Sequence, residues 1–143
     1  MTCGIGSPKT FTGHTKETST HHESSHHGKS PHKQQNVAKI NRYQIDRFGY
    51  LLNRLSQIRE GSGTLLDHSM IVYGSGISDG DRHNHDDLPI LLAGSAGKRI
   101  RTGRHIRYKN GTPLCNLYLW MMRQMGVRED RFGDSTGSLD RLG

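Results

Sequence analysis

The octet HHESSHHG at residues 21–28 sets four histidines beside two serines and a glutamate. Imidazole nitrogen is a good zinc ligand, and His22 and His26 are spaced i, i+4, which on a helical turn puts both rings on one side. His21, Glu23 and His27 are spare donors around that pair. The same octet also reads as a solvated polar loop, because a His-rich stretch needs no packed core to exist. Taken alone, the octet leaves both readings open.

A second constellation, SGISDGDRHNHDDLP at residues 75–89, follows a short apolar run. Ligands in open α/β sheets bind beyond the carboxyl ends of the strands, so Asp and His gathered there are well placed. Asp79, Asp81, His83, His85 and Asp87 alternate along it, each able to ligate a metal or to orient a ligand. The bland alternative is a hydrophilic turn. A calcium loop opening at Asp79 is excluded, since it needs Gly at 84 and Glu at 90, where the chain has Asn84 and Ile90. A dinucleotide fingerprint is excluded as well, because no helical pattern follows the glycines.

The third group is KRIRTGRHIRYK, residues 98–109, with six Lys or Arg and no acid. Arg104 and His105 are candidates to bind a substrate oxyanion or phosphate. A solvated hairpin is the competing reading. Nucleic-acid binding calls for interleaved aromatics, and Tyr108 is the single one in this stretch, so a nucleic-acid partner is disfavoured. Ser24, Ser25, Ser75 and Ser78 are nucleophile candidates by element type alone.

The elements that must position these groups follow from the apolar pattern. Residues 1–35 show no sustained apolar period and read as loop, with 1–20 a flexible or non-native leading segment and 21–143 a single α/β unit. Across 36–59, Val37, Ile40, Gln44, Phe48, Leu51, Leu55 and Ile58 recur at steps of three or four, which predicts an amphipathic helix stopped by Gly61-Ser62-Gly63. Gly49 inside it suggests close packing against a neighbour. SMIVYG (69–74) and LPILLAG (88–94) read as buried strands, and HIRY (105–108) as a third, exposed strand. A last helix is expected to take Thr112 as N-cap and Pro113 as its first residue. Leu114, Leu117, Met121 and Met125 would form its stripe, and Gly126 its stop.

Composition bounds the rest. Only 31% of the 143 residues are apolar and 6% aromatic, where globular domains run at about 45–50% apolar with Gly counted in. The core is therefore small. A formal charge of +7 favours anionic partners. Cys3 and Cys115 form neither a CxxC pair nor a disulfide framework. No run approaches the roughly 18 apolar residues of a membrane span, and the first thirty residues lack the apolar centre of a signal peptide. Helix, strand, strand, helix reads as α/β, and as one portion of a larger sheet.

Taken together the motifs resemble a known family. HESSHHGK matches the HxxSHH signature of a bacterial family described as a domain of unknown function. The likeness runs on through YLLNRLSQIREGSGTLLDHSMIVYGSGISDGDRHNHDDLPILLAG, TGRHIRY, GTPLCNLYLWMMRQMGV and RFGDSTGSL, covering residues 21 to 140. Members of that family are much longer, and this chain resembles their C-terminal portion.

That family is similar in turn to the alkaline-phosphatase and sulfatase superfamily, a metal-dependent α/β fold. The resemblance implies a C-terminal part of such a sheet-and-helix fold, incomplete by itself, with the N-terminal half as its missing partner. It aligns His22 and His26 with a D-x-x-x-H pair, Asp79 with the Asp of an Asp-His dyad, and His85 or His83 with a final His before a strand. The implied metal set is His22, His26, Asp79 and His85, with His27, Asp81 and His83 as alternative or supporting ligands. Zinc or another divalent ion is the implied cofactor. Gly80 stands where the dyad has its second His, and the nucleophile belongs to the missing half. The expectation is therefore an isolated chain inactive toward phosphate or sulfate esters. The alternative is a non-catalytic binding or surface protein that keeps the fold without metals. Relatives resemble exported proteins, and this chain shows no signal of its own.

Overall fold

The computed structural model describes residues 20–143. The leading segment up to residue 19, Cys3 included, lies outside the described residues. They divide into two compact units. One comprises the described residues up to Leu51 with Gly74–Pro89; the other comprises Leu52–Tyr73 with Ile90–Gly143.

The described part of the first unit begins with helix α1, His21–Ser25. Thr20 caps it in a reciprocal box, its hydroxyl accepting from the Glu23 amide while the Glu23 carboxylate accepts from the Thr20 amide. Helix α2, Pro31–Ser56, follows within six residues. It starts five residues before the expected boundary, because Ser30-Pro31 is a helix-start signal in its own right: Pro sets the first helical φ and has no N–H to orphan. Residues 1–35 are thus not all loop. Ile40 is completely buried, as the stripe requires, whereas Leu51 and Ile58 from the same stripe are 45% and 44% exposed. Gly49 does not mark a close contact, since a Cβ there would meet nothing within 4 Å.

In the second unit the chain leaves α2 before Gly61 and makes a small hairpin. Strands β1, Arg59–Glu60, and β2, Gly63–Thr64, pair antiparallel with Arg59 opposite Thr64. Thr64 then caps α3, Leu65–His68, in a second reciprocal box with Asp67. Strand β3, Ile71–Gly74, and strand β4, Ile90–Ala93, form a two-stranded sheet inside the two expected runs. Ile90 and Leu92 pack toward the core and Leu91 between them is exposed, the period of two a strand imposes.

Beyond β4 the chain turns through Gly94 (φ +85°), where a Cβ would lie 2.2 Å from the Ser69 carbonyl oxygen. Only glycine passes there. The amides of Ser95, Ala96 and Gly97 then satisfy the carbonyls of Leu66, Ser69 and Asp67 at the end of α3.

Helix α4, Cys115–Gln124, supplies Leu117, Leu119 and Trp120 to the apolar core. Leu117, Trp120, Ala96, Ile100 and Leu142 make one buried cluster, and Leu119 is completely buried. Two details differ from expectation. Thr112 does not cap the helix; its hydroxyl donates to the Lys109 carbonyl, and Leu114 occupies the N-cap position without a side-chain bond. Met125 is 76% exposed, because the helix ends there in a Schellman turn. Gly126 (φ +86°) donates to Arg123 and Val127 to Met122. HIRY is not a strand: residues 105–108 are irregular chain pinned by the C-terminal segment. The broad expectation of mixed helix and sheet is met.

Candidate functional site

The octet and the loop after β3 meet within the first unit. The His27 ring is the hinge of that meeting: its Nε2 lies 3.4 Å from Asp79 Oδ1 and its Nδ1 4.0 Å from Asp81 Oδ2. The Lys29 amide donates to His27 Nδ1 at 3.0 Å, so the neutral imidazole carries its proton on Nε2, toward Asp79. Alongside, the Gly28 amide donates to Asp81 Oδ1 at 3.0 Å, across 53 residues of sequence.

Asp79 is the organising carboxylate of its loop. It accepts from the Asp81 amide at 2.9 Å, and Arg82 Nε stands 3.6 Å from its other oxygen. The backbone donor at Asp81 first, then Arg82 and His27, holds its carboxyl below the usual carboxylate range against some desolvation. Asn84 ties the loop from within, its side-chain oxygen accepting from the Asp79 amide and the Ser78 hydroxyl while its carbonyl accepts from the Ser78 amide.

A second group stands beside the first. The turn of α1 brings the rings of His22 and His26 to 4.6 Å between centres, edge to face, and the ring of His83 lies 4.8 Å beyond His26. Burial, and then His22, lowers the pKa of the neighbouring His21. His85 is held elsewhere: its Nδ1 sits at 2.5 Å from the Gly76 carbonyl, which makes it the donor.

The serines of the octet have packing roles. Ser24 is buried, and Ser25 lies under Gly80, where a Cβ would come 2.6 Å from the Ser25 Cβ. The dyad position that the resemblance fills with His is thus sterically closed here.

The expected metal ligands therefore fall into three places: His22, His26 and His83 together, His27 with Asp79 and Asp81, and His85 apart. Among the described residues no three His, Cys, Asp or Glu side chains are disposed to hold one ion. The anion-binding candidates lie in the second unit. Arg104 donates to the carbonyls of Arg101 and Leu142, both at 2.7 Å, so much of its guanidinium is engaged in holding the chain; His105 is exposed.

Residues 76–80, GISDG, do spell G-x-S-x-G around Ser78. Its context is not that of a nucleophile elbow. No helix follows, and the Ser78 hydroxyl donates to the Asn84 amide oxygen at 3.0 Å rather than to a base. The tie made by Asn84 itself had a signal too, a polar Asx residue in an Asp-rich turn.

No family model matches the sequence, no curated protein matches it, and no solved structure matches the fold. Among the described residues no helix is long and apolar enough to cross a membrane.

Proposed function

We propose that this chain is the C-terminal portion of an alkaline-phosphatase-like protein of the HxxSHH kind, inactive toward esters until an N-terminal half completes its site. One observation carries the reading: His22, His26 and His83, three positions the resemblance aligns with metal ligands, form a continuous row of rings at 4.6 and 4.8 Å. Three imidazoles holding a zinc ion tetrahedrally at Zn–N of about 2.0 Å have ring centres about 5 Å apart. Two of the three separations such a site needs match that figure.

The aim of the donors does not suit an ion, as they stand. No catalytic step is therefore drawn through a metal, and the attacking nucleophile is assigned to the other half.

A second reading, a binding or surface protein that keeps the fold without metals, is favoured by the closed position at Gly80 and by the engagement of both His27 nitrogens.

Metal content of tag-free, dialysed protein separates the two, measured by mass spectrometry beside His26→Ala and His83→Ala. About one equivalent of zinc, lost in either variant and accompanied by no turnover of p-nitrophenyl phosphate or sulfate, supports the first. No retained metal in a folded protein leaves the second. Turnover by the isolated chain, abolished by His26→Ala, would overturn both.

A further inference from the structure

The second unit holds twelve Lys and Arg against six Asp and Glu, so nearly all of the net charge of +7 resides there. Half of those cations lie in residues 98–109, and the structure sorts them. The apolar members of the stretch turn inward: Ile100 is buried, and Ile106 packs on the same core. Arg101 and His105 lie in a run, 101–105, that is exposed throughout, and Arg107 and Lys109 are exposed on either side of the half-buried Tyr108, with Lys98 exposed at the start.

The backbone of this ribbon is fixed by the C-terminal segment. The Arg101 amide donates to Leu142, Arg104 Nη2 to the same carbonyl, the Tyr108 hydroxyl to Asp140 and Arg141 Nη2 to Arg107. Two arginines are occupied, Arg104 as above and Arg99 on the Gln124 carbonyl. No hydrogen bond or ion pair among the described residues engages the charged groups of Lys98, Arg101, Arg107 and Lys109. The nearby carboxylate of Asp140 is paired with Arg141 Nε at 3.4 Å.

We propose that residues 98–109 form a preorganised cationic ribbon that binds the phosphate backbone of duplex nucleic acid without reading its bases. Charge supplies the attraction: neutralising phosphates releases condensed counterions, and guanidinium forks match phosphate oxygens. The free cations are spread over twelve residues of irregular chain that bends at Gly103 (φ +73°), rather than gathered at one position. The missing aromatics now fix the class of partner. Tyr108, the sole aromatic side chain of the ribbon, has its ring under the Arg141 guanidinium at 4.9 Å and its hydroxyl donated. No Phe, Tyr or Trp ring of the ribbon remains free for stacking unpaired bases, and no exposed apolar side chain projects from it to enter a lipid surface. This inference is independent of the histidine site and survives its failure.

The test is fluorescence polarisation with two unrelated 20-base-pair duplexes, a single strand and heparin, at increasing salt. The comparison is the full chain against Arg101→Ala/Arg107→Ala/Lys109→Ala, whose fold is checked through the one tryptophan. Three neutralised phosphates give about a fortyfold loss of affinity between 50 and 200 mM salt. Equal affinity for both duplexes is expected, with the salt slope largely abolished in the triple variant. Unchanged binding by the variant, stronger binding to the single strand, or binding to heparin with none to DNA would each overturn the proposal, the last in favour of a sulfated polysaccharide.

Discussion

The two units are held together by different forces. The second has an apolar centre, with Leu119 completely buried and Trp120, Leu117, Ile100 and Leu142 around α4. Among the described residues the first buries Ile40 as its one large apolar side chain, along with the polar Ser24 and Asn36, and is knit by hydrogen bonds to Asp79, Asp81 and Asn84. Burial of apolar surface is non-directional and robust, whereas a polar network is worth about 1 kcal/mol per bond and depends on each partner being in place. The chemistry-bearing side chains thus sit where the fold is most easily undone.

The largest effect expected from a single change is Leu119→Ala. It leaves a cavity in the second unit and should cost about 3 kcal/mol, read from the urea midpoint of Trp120 fluorescence. Next comes Gly80→Ala in the first unit. Its Cβ meets a Ser25 Cβ that cannot swing aside, and the cost should be about 1–3 kcal/mol. That loss should appear in the histidine NMR signals while the Trp120 transition stays put. A Trp120 midpoint displaced as far as by Leu119→Ala would erase the contrast, because the units would then unfold as one.

Smaller still is Thr64→Ala, which removes the cap of α3 for about 1 kcal/mol and should be felt by Trp120. Thr20→Ala is its counterpart in the first unit, silent at Trp120 and visible at His22 and His26. The last expectation concerns acid. Backbone and hydroxyl donors at Thr20, at Thr64, and at Asp81 and Arg82 hold the carboxyls of Glu23, Asp67 and Asp79 below their ordinary range. A depressed folded pKa contributes stability that is present above the unfolded value, near about 4, and is lost as pH falls through the folded one. Urea midpoints should therefore be level from about pH 7 to 5 and fall below about pH 4. An earlier fall, between pH 7 and 5, would point to histidines rather than carboxylates.

Local rules were legible where they were strong. The period of three and four found α2, the apolar runs found β3 and β4, and Gly126 marked the end of α4. The capping boxes at Thr20 and Thr64 and the start at Ser30-Pro31 are equally local signals, carried by side-chain chemistry where no apolar period runs. HIRY failed for another reason. Its alternation is real, with Ile106 inward and Arg107 outward, yet no neighbouring strand pairs with it, and strand status depends on a partner.

The histidine site divides the same way. Residue types and the i, i+4 spacing of His22 and His26 are properties of the chain. The partners they meet are not. His83 rather than His85 joins the row, and His27 rather than His22 faces Asp79, because Asn84 and Gly76 fold the loop and the Lys29 amide fixes one imidazole tautomer. By itself the sequence determined which groups are available, where helices begin and end, and how much charge the chain carries, since these follow from side-chain chemistry and short-range periodicity. The tertiary structure alone decided which donors converge and which position is closed by Ser25, because contacts across some fifty residues of chain depend on loop geometry that no local pattern encodes.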